Sequence, residues 1–293
     1  MTEQINRATG LLLIEAVNSN PNGDPDRESD PRTRQDGRGE ISPVSFKRKL
    51  RDLVLAKNSP IWQEFEKELG LNLSSDSYDI FEQNKVKFQD LIKMKTEDFL
   101  SMYWDARVFG STVLEKEDDD SNNKHIASGV VQFGLGVSVD AVKIERLSTT
   151  KVTNEDENKS KKMAPLAFRI VSYGLYTMPF FINATAAQKT HCTKKDIKLL
   201  LRLIPHAYPE TASYVRPQVF IRHAFYVEHN RPRGTFSDFK IIEALTPRRI
   251  GGAAGAATSW KDYDEKLLFE NIAGLNKLLE GKASPVKDLM GQM

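Results

Sequence analysis

Cysteine is nearly absent: Cys192 is the only one in 293 residues. That excludes an internal disulfide and any multi-cysteine metal site, and it fits a reducing compartment. Long apolar runs are missing too, and no stretch approaches membrane-spanning length. Met1 to Arg7 is polar and lacks a signal-peptide core, so the expected compartment is the cytoplasm. Histidine is scarce, and His125, His191, His206, His223 and His229 show no zinc-ligand spacing. Cys192 beside His191 is not by itself a nucleophile signature. Net charge is small, at +2 from 42 basic and 40 acidic residues. A role with a polyanion would therefore need local clustering of cations. The length suits one elaborated domain or two small ones, with room for a sizeable core.

The chain has one distinctive stretch near its start. Leu11 to Val17 is apolar on both strand faces except for Glu15, as in a central, doubly covered strand. Asn18-Ser-Asn-Pro-Asn-Gly-Asp-Pro-Asp26 is dense in turn residues. The loop continues to Glu40, and its length points to function or disorder. It carries Arg27, Arg32, Arg34 and Arg38, interleaved with Asp24, Asp26, Glu28, Asp30 and Asp36. Local pairing could cancel those arginines.

A helix follows. Ser42 can cap it and Pro43 suits its first position. Phe46, Leu50, Leu53 and Val54 share one face at helical spacing. Lys47 and Arg51 flank that face, one turn apart, and Arg48 lies opposite. Strand, loop and helix together are expected to hold a polyanion. The bland alternative is an ordinary solvated helix face.

Beyond it, Ile61 to Leu100 reads as helical or irregular, with Trp62, Phe65 and Leu69 at helical spacing. Tyr103 to Gly110 reads as a short strand or turn. Glu115 to Asp120 is a solvated acidic run. Gly129 to Val139 reads as one alternating strand whose glycines leave a face bare for close approach. Lys143 to Thr185 reads as a long hairpin that leaves the sheet and returns, with Met163, Pro165 and Leu166 near its turn. Tyr173 and Tyr176 could stack bases, although strand aromatics more often belong to the core. Thr193 to Leu203 reads as a helix capped by Thr193 and ended by Pro205. Val219 to Glu228 reads as a strand. Thr246 to Gly255 is a basic, small-residue loop with Arg248, Arg249, Gly251 and Gly252. Tyr263 to Leu279 reads as a closing amphipathic helix capped by Asp262.

The coarse order is β, α, β, β, α, β with insertions. This predicts an α+β fold of the split βαβ, ferredoxin-like arrangement, which includes the RRM topology. Residues 1–293 are read as a single domain. A helical insertion is expected over about 55–125 and a protruding hairpin over about 144–170.

Five segments, in this order and spacing, resemble a known family. They are Asn18 to Asp26, Gly39 to Asp52, Asp105-Ala-Arg-Val-Phe-Gly110, Gly129-Val-Val-Gln-Phe133 and Tyr173-Gly-Leu-Tyr176. The family is the backbone subunit of type I CRISPR effector complexes, the Cas-seven family of the RAMP superfamily, in its type I-C version. Coverage is good to about Thr185.

The resemblance implies an RRM-like palm, a finger-like helical region and a β-hairpin thumb. It implies head-to-tail polymerisation along a CRISPR guide RNA, with each thumb displacing a guide base. It implies target DNA pairing through the guide, other Cascade subunits as partners, and no enzymatic activity, cofactor, metal or membrane. A protein holding any guide should grip phosphates, which carry no sequence information. Arg27, Arg32, Arg34, Arg38, Lys47, Arg48, Arg51, Arg248, Arg249, Gly251 and Gly252 are the residues expected to make that grip. Lys161, Lys162, Met163 and Leu166 are expected at the base-displacing thumb.

Two other readings stay open. Related type III subunits cleave RNA with an aspartate of the first loop, and Asp24, Asp26, Asp30 and Asp36 lie there. The third is an assembly protein without nucleic-acid contact.

Overall fold

The central strand is longer than its apolar run. Residues Ala8–Ser19 form β1, with Leu11 to Ile14 fully buried. Each such side chain contributes about 1.5–3 kcal/mol by leaving water. Leu12, Ile14 and Ala16 enter one core, while Leu11 and Leu13 enter another. The period of two therefore divides one strand between two layers. The computed structural model describes residues 4–71, 76–83, 91, 94–112, 126–153, 162–252 and 255–292.

In chain order, β2 (Gly23–Asp24), β3 (Asp30–Pro31) and β4 (Arg38–Ile41) follow β1. Helix α1 spans Pro43–Leu55 and α2 spans Pro60–Leu69. Then come α3 (Thr96–Met102), α4 (Trp104–Phe109), β5 (Gly110–Thr112) and β6 (Ile126–Ser128). Next are β7 (Val131–Phe133), β8 (Gly136–Ala141), β9 (Ile144–Thr153) and β10 (Lys162–Ile182). Helices α5 (Ala184–Thr190) and α6 (Lys194–Leu203) precede β11 (Val219–Glu228). Finally come α7 (Asp238–Leu245), α8 (Glu265–Leu279) and β12 (Lys287–Asp288).

The main sheet runs β12-β11-β1-β10-β8-β4, with β7 and β9 also on β10. Its pairings are antiparallel; β1 faces β10 with Ile14 opposite Tyr176, and β11 with Leu12 opposite Ala224. Counted along the chain, β1, β8, β10 and β11 stand in the order 4-1-3-2, within the mixed α/β fold expected from the sequence. Helices α1, α2 and α6 pack on one face of the sheet, and α7 and α8 on the other.

Several local expectations are corrected. Tyr103 to Gly110 is not a strand but contains helix α4. Gly129 to Val139 is two strands, because the pairing with β10 shifts by one residue between Phe133 opposite Phe180 and Val137 opposite Thr177. The burial phase inverts there: Val131 and Phe133 are buried, but so are Gly136 and Ser138. What approaches the bare glycines is the protein itself. A Cβ at Gly136 would sit 3.0 Å from the Met178 methyl and 3.1 Å from Ile41. The closing helix starts at Glu265 and is capped by Asp264, whose carboxylate accepts from the Leu267 amide. Asp262 instead accepts from the Thr258 and Ser259 amides in the preceding turn. Helices α5 and α7 had no counterpart in the sequence reading.

Two buried arginines fasten the helical side. The Arg107 Nη2 donates to Asp196 at 2.8 Å and its Nη1 to the Leu100 carbonyl at 2.8 Å. Asp196 also closes the capping box of α6 with Thr193. Arg51 donates to Asp105 at 2.8 Å, and Asp105 accepts from the Phe81 amide at 2.7 Å. Among the described residues, no helix is long and apolar enough to cross a membrane.

Candidate nucleic-acid interface

The first loop is fastened at several points. Asn18, Glu28 and Ser29 adopt positive φ, which lets the chain turn sharply without glycine. Strands β2 and β3 pair within it. The Asn22 side-chain Oδ1 accepts from the Ser42 amide at 2.8 Å and from the Ser42 hydroxyl at 2.9 Å. Ser42 in turn caps α1 by accepting from the Ser45 amide. One side chain thus ties the loop to the helix N-terminus. Asp30 ties the same loop to the hairpin through Arg169.

The loop arginines do not present equal charge. Arg27 is exposed and has no ion-pair partner among the described residues. Arg32 lies 3.8 Å from Asp24, Arg34 meets Glu40 at 2.5 Å, and Arg38 meets Asp36 at 2.7 Å. Two hydrogen bonds from Arg38 hold the Asp36 carboxyl below its usual range. The interleaved acids thus pair with two of the four, and Glu40 at the loop's end with a third. Such exposed pairs are weak, about 0–1 kcal/mol, and a phosphate can displace the acid.

On α1 the expected face is Phe46, Leu50, Leu53 and Val54, all buried. The cations divide. Arg48 is exposed and pairs with Asp52 one turn on, at 2.9 Å. Lys47 is half-buried, with its ammonium 5.2 Å from the centre of the Phe109 ring. Burial, then the nearby Arg51 charge, lowers its pKa. Arg51 is turned inward, 7% exposed, and pairs with Asp105 and Glu82. It braces α1 against α4 and the Phe81 turn. Lys49, outside the expected set, is also buried: it donates to the Thr211 hydroxyl at 2.8 Å and lies over Tyr208. Burial, and then the Arg216 charge, pushes its pKa down to about 8.

The C-terminal basic loop and the first loop both reach the end of β8. Arg249 lies 3.8 Å from Asp140, and the neighbouring Ala141 pairs with Arg38. Arg249 points inward and donates to the Gly255 and Ala256 carbonyls, whereas Arg248 is exposed. Gly251 has φ +67°, which favours glycine, and sits with Gly252 in the turn Ile250–Gly252.

The hairpin is paired from Ile144 opposite Val171 to Thr153 opposite Lys162. Met163 faces Val152 and Leu166 faces Thr149 in that ladder. Lys161 lies outside the described residues. Tyr173 and Tyr176 are core, at 4% and 0% exposure. Burial raises both phenols' pKa values. With α7 and α8 over that sheet face, Tyr173 offers no open ring for a base.

Arg146, Arg169 and Arg216 were missed by sequence reasoning. They line a cleft of about 440 Å³ between the first loop, the foot of the hairpin and the Val215 turn. Arg146 and Arg169 stand directly opposite on β9 and β10. Only their register, invisible in sequence, brings them together.

A family model described as CRISPR-associated protein Cas7 matches residues 6–267. A Haloferax volcanii protein described as CRISPR-associated protein Cas7 is 26% identical over 212 residues. That match takes in 67% of this chain and 62% of the relative, so the chain spans less than two thirds of the relative's length. A chain of a solved "CRISPR RNA-guided surveillance complex, pre-nicking" gives a TM-score of 0.52 at 15% identity, over 94% of this chain and 90% of that one. A chain of a "CRISPR RNA-guided surveillance complex" gives 0.48 at 16% identity, over 95% and 86%. At such identity the 0.52 match speaks for the fold alone.

Proposed function

The chain belongs to the CRISPR-associated Cas7 family, and from that premise we propose that it is a non-catalytic backbone subunit that binds a CRISPR guide RNA. Copies line up head to tail along the guide in a complex of the type I-C kind. The guide then pairs with target DNA. The sheet order 4-1-3-2 supports an RRM-like palm, and the β9–β10 hairpin supports a thumb. Head-to-tail contact is heterologous and generates a helical filament when its rotation does not close.

The observation that carries this reading is the junction built by Asn22 and Asp30. It joins the basic loop, the α1 N-terminus and the hairpin foot into one fixed surface. Arg27, Arg34, Arg38, Lys47 and Arg48 belong to the loop and the helix that it joins. These groups suit phosphate, whose contacts carry no sequence information. Asp24, Asp30 and Asp36 are each engaged by an arginine, which favours a structural role for the loop aspartates.

Anisotropy titrations with two unrelated single-stranded RNAs test the reading. Arg27→Ala and Lys47→Ala should weaken both RNAs equally and flatten the dependence of log K on log salt by about 0.7 per lost contact. A loss confined to one sequence contradicts a phosphate role.

A further inference from the structure

The cleft at the foot of the hairpin is a charge arrangement that the fold does not neutralise. Arg146 and Arg169 are directly opposite in an antiparallel ladder, where like charges repel. Asp30 answers Arg169 alone. Arg146 has no ion-pair partner among the described residues. Arg216, on the facing wall, gives its Nε to the Asn20 carbonyl at 3.0 Å, and among the described residues no carboxylate pairs with it. Behind it the buried Lys49 adds another positive charge and has a hydroxyl, not an acid, as its hydrogen-bond partner. Glu28 stands at the rim, one acid against that surplus.

The cleft also has an aromatic side. Phe168 lines it, and Tyr214 packs edge-on against Phe168 with ring centres 5.4 Å apart. Tyr214 is 67% exposed, so its ring face is open. An exposed tyrosine held by a ring contact is a platform for a base, and stacking tolerates any sequence. The volume of about 440 Å³ is in the range of ligand pockets. Asn20 fixes the walls: its amide donates to the Val215 carbonyl at 2.7 Å and its side chain to the Ser29 carbonyl at 2.7 Å.

We propose that this cleft is a phosphodiester site in which Arg146 and Arg216 grip one phosphate of the RNA strand and Tyr214 carries the adjoining base. The proposal rests on the RNA-binding reading above and adds residues that reading did not include. The strand then runs from the first loop across the hairpin foot to the Tyr214 turn.

The test is anisotropy with the full-length protein and two unrelated labelled single-stranded RNAs, over a salt series. Arg146→Gln lies on an exposed strand position and relieves the repulsion from Arg169, so it should not lower the thermal midpoint. It should weaken both RNAs several-fold and flatten the salt slope by about 0.7. Tyr214→Ala should weaken both roughly tenfold with no change in slope, because it removes stacking and not charge. Arg216→Lys keeps the charge and should retain the wild-type slope. If wild-type protein and an Arg27→Ala control behave as expected while Arg146→Gln and Tyr214→Ala bind like wild type, the cleft proposal is overturned and the RNA reading stands. If wild-type protein binds neither RNA, the reading itself fails and the cleft proposal with it.

Discussion

Arg51→Ala should cost stability, not RNA affinity. The Arg51 side chain is buried, and its Nε meets the Asp105 carboxylate at 2.8 Å. The Asp105 side chain is 2% exposed. Deleting the guanidinium leaves that carboxylate with the Phe81 amide at 2.7 Å and the Glu82 amide at 3.2 Å as its remaining donors. Breaking a buried pair from one side costs about 3–5 kcal/mol, because the remaining charge has no counter-charge. A folded domain has about 5–15 kcal/mol in all. With a urea slope of roughly 3 kcal/mol per molar, the midpoint should fall by about 1 M or more. Urea unfolding followed by tryptophan fluorescence measures this, since Trp62 and Trp104 are both buried. Arg51→Met with Asp105→Asn should recover part of the loss by removing the orphaned charge. An unchanged midpoint together with weakened RNA binding and a flatter salt slope would falsify the bracing role and return Arg51 to the phosphate grip.

Two more perturbations probe the same frame. Ser42→Ala removes the α1 cap and the hydroxyl bond to Asn22, and should cost about 1–2 kcal/mol in urea unfolding; no change would mean the loop is not anchored there. His229 is fully buried, and its Nδ1 accepts from the Thr235 amide at 3.1 Å, which needs the neutral ring. Burial lowers its pKa, outweighing Asp238. The unfolded chain therefore binds the proton more readily, so this stability is full above the ordinary histidine pKa and is lost as pH falls from there through the lowered folded value. His206 shifts the same way. The thermal midpoint should drop between about pH 7.5 and 5.5, and His229→Gln should flatten that drop; an equally steep drop in the variant refutes the assignment.

Sequence legibility followed the range of the interaction concerned. The β1 and α1 segments were readable because their signals are local: an apolar run, a Ser-Pro start and helical spacing. The mixed α/β class followed from the order of these local signals, whereas the strand order in the sheet is set by long-range pairing. Helix α4 was not readable, since Asp105-Ala-Arg-Val-Phe has few local helix signals and is held by Asp196 and by Arg51, 89 and 54 residues from their partners. The break after Phe133 depends on a one-residue register shift against β10 across the sheet. The cations show the same limit. Lys47, Arg48, Lys49 and Arg51 look alike in sequence, yet two are buried and two reach solvent to different degrees. Arg146 and Arg216 carried no motif, and only the hairpin register and the Asn20 contacts place them on one cleft.

The most direct test of the central claim is co-expression with a CRISPR repeat-spacer transcript, then size-exclusion chromatography with ultraviolet absorbance and sequencing of any bound RNA. The account predicts a large species carrying one discrete, repeat-derived RNA. A nucleic-acid-free monomer that also fails to bind RNA at low salt would contradict it.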